Sequence, residues 1–431
     1  MALFNFIKKN KNKDKVDILT DKDVFEPSPV EDNRLIFSNN LILKEKTISK
    51  YQLPYSYENF LDNPSNNRYV SMKEMMDSFP QSISDSELIF ALGKNKSNLP
   101  VYCNIVDLPH LLIGGTTGSG KTTCLNSIIL SLLLTKKPDQ VKLVLVDLKK
   151  VEFLPYRDIP HLLWPVIDDS RMAVNMLKKI VVIMEERYNL FASIGVKNIE
   201  SYNEFVGDNT NVENNRNSII HLPRIVIIVD HFSDLMTVAG KDVEQSIRRI
   251  SELARNTGVH LILSTQRPSS DVLTGTIKSN IPSRITFALP SEFDSKTIID
   301  QPGADRLLGN GDMLYYPLGS QAPVRIQGTN VTDKEIKKVV DYVKSQADPE
   351  YEDSYYNFLT NISYSKNSYK NDSLYSEVIE FVRAQQKAST SLLQRRFGIG
   401  YSRATHLIDA LEDDGIIGPA NGAKPRDVYI K

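Results

Sequence analysis

Between residues 99 and 345, short apolar runs recur with no polar alternation inside them: "HLLIGG" (110–115), "VKLVLVD" (141–147), "RIVIIVD" (224–230), "VHLILST" (259–265) and "RITFAL" (284–289). Strands that are apolar at every position are covered on both faces, which is the signature of a parallel sheet with flanking helices. Between the second and third runs, Leu177, Val181, Met184 and Tyr188 recur at helical spacing and predict a helix packed on that sheet. The run "IILSLLL" (128–134) is too short to span a bilayer and reads as a buried helix.

Outside this block the pattern weakens and then changes kind. Residues 1–48 are rich in lysine and asparagine, with little periodicity, and are expected to form a flexible arm. Residues 49–98 carry short helical stripes interrupted by proline and asparagine, a small lead-in region. The polar stretch "GDNTNVENNRNS" (207–218) predicts a surface loop, and residues 346–372 predict a linker. Beyond it, residues 373–431 regain a helical period over Leu374–Gln385, Ser389–Phe397 and Tyr401–Asp413, followed by the strand-like "RDVYI". Three helices with a short turn before the third and a β extension predict a winged helix-turn-helix domain, whose third helix fits a major groove.

Composition narrows the classes further. A chain of 431 residues with 41% apolar and 24% charged residues is that of an ordinary globular protein. A net charge of −1 means that any nucleic-acid contact must come from local basic patches. Cys103 and Cys124 are the only cysteines and lack metal-ligand spacing, which argues against a structural zinc site or a disulfide framework and for a reducing compartment. The N-terminal apolar stretch is too short for a signal peptide or a span, so the expected location is cytoplasmic, with no integral membrane segment.

The chemistry begins at "GTTGSGKT". Gly115, Thr116, Thr117, Gly118, Ser119, Gly120, Lys121 and Thr122 satisfy the phosphate-loop pattern G-x-x-x-x-G-K-[ST], with Thr123 following. The motif lies between an apolar strand and an apolar helix, the context in which loop amides and a helix N-terminus surround a nucleotide's phosphates. Lys121 would neutralise the β and γ phosphates of ATP, and the Thr122 hydroxyl would ligate Mg²⁺. Asp230, at the end of its apolar run, supplies the second-strand carboxylate that orients the metal. His231 follows it, where nucleotide-hydrolysing enzymes usually keep a glutamate.

The strings "PHLLIGGTTGSGKTTCLNSIILSLL", "IPHLLWPVI", "MEERYNLFASIGVKNIESYN", "GVHLILSTQRPSSDVLTGTIKSNIPSRITFAL" and "DSKTIIDQPGADRLLGNGDMLY" resemble the motor domain of the FtsK/SpoIIIE family of bacterial DNA translocases. The resemblance implies a RecA-like P-loop ATPase that assembles as a homo-hexamer around double-stranded DNA and moves along it in chromosome segregation or DNA transfer. A recombinase or membrane-protein partner enters on the same footing. The family's winged helix reads the sequences that orient translocation; Ser389, Gln394, Arg395, Arg396, Tyr401, Ser402 and Arg403 sit where such contacts would come from. Gln266, in "STQRP", can sense the γ phosphate. A ring ATPase also takes a cation from the neighbouring subunit, for which Arg255 is the first candidate and Arg284 the second. Lys241, Arg267 and Lys278 are expected in loops facing DNA phosphates.

The chain departs from the family at His231, where the family reads glutamate. An imidazole that is partly neutral at cytoplasmic pH can polarise water in the glutamate's place, and Asp234, one turn on, is a second acidic group. The alternative is a DNA-binding regulator or scaffold whose assembly is gated by ATP with little hydrolysis.

Overall fold

The computed structural model describes residues 51–54, 56–62, 69–80, 87–209, 221–351, 374–397 and 399, together with 404, 407, 408, 410–412, 414–418 and 426–429. The expected arm over 1–48, most of the linker and Tyr401, Ser402 and Arg403 lie outside the described residues.

In chain order the elements are β1 (Val70–Ser71), α1 (Met72–Asp77), β2 (Ile89–Asn95), β3 (Pro100–Asn104), β4 (His110–Gly114), α2 (Lys121–Thr135), β5 (Val141–Asp147), α3 (Ser170–Ile194) and α4 (Ile199–Asn209). They continue with β6 (Arg224–Asp230), α5 (Phe232–Thr257), β7 (Val259–Thr265), α6 (Gly275–Asn280), β8 (Ser283–Phe287), α7 (Glu292–Ile299), β9 (Asp312–Tyr316), β10 (Val324–Asn330) and α8 (Asp333–Gln346). The C-terminal region adds α9 (Tyr375–Gln385) and α10 (Thr390–Phe397).

The strands form one ten-stranded sheet in the order β3-β2-β10-β9-β8-β4-β7-β6-β5, with β1 paired to β10. The five runs expected to be parallel are β8, β4, β7, β6 and β5, and each pairs with its neighbour in parallel. All five are buried at every residue. The sequence pattern did not anticipate the antiparallel extension through β9, β10, β2 and β3. β3, β9 and β10 mix buried with half-exposed or exposed positions, whereas β2 continues an apolar run, Leu88 to Leu92, inside the stretch expected to carry helical stripes.

The stretch 49–98, expected as a separate lead-in, supplies β1 and β2 to this sheet. Its first residues pack on α8: Tyr342 Oη donates to the Gln52 carbonyl at 3.0 Å, and Lys338 pairs with Asp62 at 2.8 Å. The physical reason is edge satisfaction, since β10 has unpaired backbone groups that an added strand covers. β2 and β3 shift register between Ala91 and Gly93. The buried serines of α2 make good the backbone there: Ser127 Oγ donates to the Ala91 carbonyl at 2.8 Å, and the Ala91 N–H donates to Ser131 Oγ at 3.0 Å.

One core lies between the sheet and α2, α8 and α1; the other lies under α3, α5, α6 and α7 on the opposite face. As expected, α2 is buried nearly all round. Leu177 and Met184 are the buried members of the α3 stripe, with Val181 half-buried beside them. Among the described residues no helix is long and apolar enough to cross a membrane. Cys103 and Cys124 are buried free thiols, and burial pushes both up to about 12.

The C-terminal residues form their own core from Tyr375, Val378, Val382, Ala388, Leu393, Leu407, Ile408, Leu411 and Ile417. Antiparallel bridges join Ala388 to Arg426 and Ile417 to Val428, which is the β extension expected of a winged helix.

Three buried histidines, His110, His161 and His260, make acid sensitivity a property of the motor core. Burial holds His110 down at about 4 and His161 down at about 3, with no neighbouring carboxylate to offset it. The folded state therefore binds fewer protons than the unfolded chain below the ordinary histidine value of about 6.5. Their contribution to stability is complete above that value and is lost as pH falls towards 4, on the order of 3 kcal/mol per histidine. Urea unfolding at pH 7.5 and 5.0 is expected to show a clear loss at the lower pH, smaller in His110→Gln. An identical pH response in the variant would remove His110 from this account.

Candidate functional site

The C-terminal ends of β4, β7, β6 and β5 lie side by side, and the loops leaving them carry the site. The phosphate loop leaves β4 and runs directly into α2. It is clamped from two sides. The Thr116 N–H and Oγ1 both donate to the Ala288 carbonyl beyond β8, at 3.1 and 3.2 Å. On the other side the Gly311 N–H donates to the Ser119 carbonyl at 2.9 Å. Gly120, the N-cap of α2, has φ 119° and ψ 2°. A Cβ there would lie 2.7 Å from Gly311 Cα, so both the backbone conformation and the close approach require glycine.

Within the loop, Ser119 Oγ donates to the Thr116 carbonyl at 2.7 Å, and Lys121 Nζ donates to the same carbonyl at 3.0 Å. Burial lowers Lys121 to about 8, with Asp230 and Glu152 opposing that shift. A cation held in this way has little water to shed before it meets a phosphate.

Asp230 ends β6 in register with Asp147 of β5. It is 2% exposed, and its Oδ2 has no hydrogen-bond partner among the described residues. A buried carboxylate oxygen without a donor, beside a loop that presents a threonine hydroxyl, suits a hard divalent cation. Thr122 and Asp230 would hold Mg²⁺, which supplies charge neutralisation for a nucleotide's phosphates.

His231 is the N-cap of α5 in the left-handed region, φ 55° and ψ 43°. This conformation is uncommon for a residue with a side chain, although histidine is among those that adopt it. It turns the imidazole back onto the strand, with Nε2 3.3 Å from Asp230 Oδ2. Asp234 N–H donates to the His231 carbonyl at 2.9 Å, and the Ser233 hydroxyl is 3.4 Å from the Asp234 carboxylate. Asp234 thus serves the first turn of α5. Gln266, just past β7, accepts from Thr117 Oγ1 at 2.9 Å and so sits over the loop.

One residue of the site escaped the sequence reading. Glu152 lies in the turn after β5, and its carboxylate, an Asp230 oxygen and a His231 ring nitrogen all fall within 4.8 Å of one another. Burial raises its carboxyl above the ordinary range, with Asp230 and Asp147 adding to the effect, while His231 and a hydrogen bond from Thr122 oppose it. The turn is pinned by Asp147, whose Oδ2 accepts from the Phe153 N–H at 2.9 Å. The available signal was "VDLKKVEF", a carboxylate five residues beyond the end of an apolar strand run.

The remaining candidates separate. Arg255 is exposed in the last turn of α5. Arg284 is not available to a neighbouring subunit. It is buried in β8, donates to the Ile298 and Lys278 carbonyls at 2.9 and 3.0 Å and pairs with Asp300, so its guanidinium braces the sheet against α6 and α7. Arg267 does lie in a loop, exposed, 3.8 Å from Asp271. Lys241 and Lys278, expected in loops, are helical. Lys241 lies in α5 just beyond its kink at Ala239, and Lys278 lies in α6, paired with Asp300 at 2.7 Å. Helix continuation through their segments depended on contacts with the sheet that local polarity does not report.

In the C-terminal core, Ser389 Oγ accepts from the Leu392 N–H at 3.3 Å at the start of α10. Gln394 is half-buried and Arg395 exposed. The Arg396 guanidinium lies 5.8 Å from the Phe381 ring and 5.9 Å from the Phe397 ring, so it stacks on the α9–α10 surface.

Sequence profiles agree with both parts. The profile of the FtsK/SpoIIIE family matches residues 71–270, and that of the Ftsk gamma domain matches residues 369–431, together more than half of the chain. The chain belongs to the FtsK/SpoIIIE family. It is 48% identical over 361 residues to the DNA translocase SpoIIIE of Bacillus subtilis (strain 168), and 46% identical over 361 residues to the DNA translocase FtsK of Bacillus anthracis. In both cases the match covers 84% of this chain and 45% of the relative, so the chain spans less than half the length of these curated relatives. Among solved structures, the pCW3 conjugation coupling protein TcpA, determined as a monomer with ATPγS, shares the fold with a TM-score of 0.51 at 24% identity. That likeness covers 68% of this chain and 76% of the coupling protein. This FtsK/SpoIIIE chain thus has a RecA-like P-loop architecture with a C-terminal winged helix.

Proposed function

We propose that this FtsK/SpoIIIE chain is an ATP-driven motor that moves along double-stranded DNA. Residues 99–345 are the motor, extended at its edge by strands from 49–98, and residues 373–431 are a DNA-reading winged helix. The reading rests on one observation above all: the phosphate loop with Lys121, Asp230 and Gln266, from three separate segments, meet at the C-terminal ends of the central parallel strands. The loop amides and Lys121 bind the phosphates of ATP, Thr122 and Asp230 hold Mg²⁺, and Gln266 reports the γ phosphate to the segment after β7. Arg255, exposed on α5, is the cation offered to the site of a neighbouring subunit in a hexameric ring. Arg267 follows the DNA backbone without reading sequence. Arg395 and the helix beyond α10, with Ser402 and Arg403, contact DNA to load or orient the motor.

His231 beside Asp230 supports a second reading, in which ATP gates assembly on DNA with little turnover. Linear double-stranded DNA is expected to stimulate phosphate release several-fold over the DNA-free rate, with Lys121→Ala at background, and the protein is expected to displace a triplex-forming strand from a DNA end. Phosphate release at the Lys121→Ala level with and without DNA would overturn the motor in favour of the gated scaffold.

A further inference from the structure

We propose that Glu152, not the residue after Asp230, is the carboxylate that takes the proton from the attacking water during ATP hydrolysis; the inference rests on the motor reading above. Three observations lead to it. His231 is 3% exposed and its Nε2 lies 3.3 Å from Asp230 Oδ2, so the imidazole faces the buried strand end rather than the open side of the site. Glu152 is the other carboxylate of the cluster, reaching within 4.8 Å of the Asp230 oxygen and the His231 nitrogen. Unlike both of them it is only half-buried, so it remains accessible to water.

The third observation is that the turn carrying Glu152 is built to hold it. Asp147, fully buried, accepts the Phe153 N–H at 2.9 Å, and the Lys150 N–H returns to the Asp147 carbonyl at 3.1 Å. Phe153 and Tyr156 then sink into the core beneath it, and Tyr156 Oη donates to Asn126 Oδ1 of α2 at 3.0 Å. The turn is thereby tied to the helix that begins with the phosphate loop.

In the step itself the water oxygen bonds to the γ phosphorus and the bond from that phosphorus to the β–γ bridging oxygen breaks. The bridging oxygen leaves on ADP with the electron pair, and the water proton passes to Glu152. Replacing the carboxylate by an amide keeps the turn and removes the acceptor. Glu152→Gln is expected to lower DNA-stimulated turnover by about 10²-fold or more, with the affinity for a fluorescent ATP analogue within about threefold of the unaltered protein. The double variant Glu152→Gln with His231→Glu is expected to recover turnover, because it returns a carboxylate beside Asp230 by another route.

Turnover in Glu152→Gln within a few-fold of the unaltered protein would overturn the inference. So would weakened analogue binding in that variant, which would make Glu152 a nucleotide-holding residue, or a double variant as inactive as the single one. If the unaltered protein itself matches Lys121→Ala, the motor reading fails first, and this inference falls with it for that separate reason.

Discussion

Asp230→Asn is expected to lower DNA-stimulated ATP turnover by about 10²- to 10³-fold while leaving Tm unchanged or raised. The two effects have one cause. Asp230 is buried at the end of β6, its Oδ2 lacks a hydrogen-bond donor among the described residues, and Glu152 brings a second carboxylate within reach. A buried charge in that position costs stability, and Lys121 is the cation that offsets it. Asparagine keeps the shape and one oxygen and removes the charge, so the core loses nothing while the metal loses its anionic ligand. Steady-state ATPase and thermal unfolding of the same preparations check this. Unchanged turnover would remove Asp230 from the metal site, and a large fall in Tm would make it a structural residue.

Arg187→Ala is expected to destabilise the motor by about 3–5 kcal/mol. Arg187 projects from α3 and is 3% exposed. Its Nη1 donates to the Thr257 carbonyl at 2.6 Å and its Nη2 to the Pro223 carbonyl at 2.8 Å. Those carbonyls mark the end of α5, just before β7, and the entry to β6. One guanidinium therefore braces the strands that deliver Asp230 and Gln266. Its removal strips two buried carbonyls of their donor, each worth about 1–3 kcal/mol, and adds a cavity. Urea unfolding with an unchanged m-value is the measurement, and Arg187→Lys is expected to recover part of the loss, because an ammonium cannot span both acceptors as a planar fork does. A loss under about 1 kcal/mol for Arg187→Ala would show that the strands are held without it.

The central sheet was legible because five fully buried strands leave unbroken apolar runs, and β5, β6 and β7 begin and end where those runs do. The antiparallel flank was not. β3, β9 and β10 mix buried and exposed side chains with no consistent period, and the apolar run of β2 lies inside a stretch expected to carry helical stripes. The lysines failed for a related reason. Charge and polarity suggested loops for Lys241 and Lys278, yet the helices that contain them are stabilised by packing on the sheet.

By itself the sequence determined the phosphate loop, the strand ending in Asp230, the five strands of the parallel core and the winged helix at the end of the chain. These are local patterns, in which a few residues at fixed spacing carry the chemistry. Only the tertiary structure decided which of two arginines is free and which is locked, since Arg284 and Arg255 look alike as letters and differ only in what surrounds them. It alone brought Glu152 to Asp230 and His231, from residues nearly eighty positions apart, because the pairing of β5 with β6 sets their distance and no spacing along the chain encodes it.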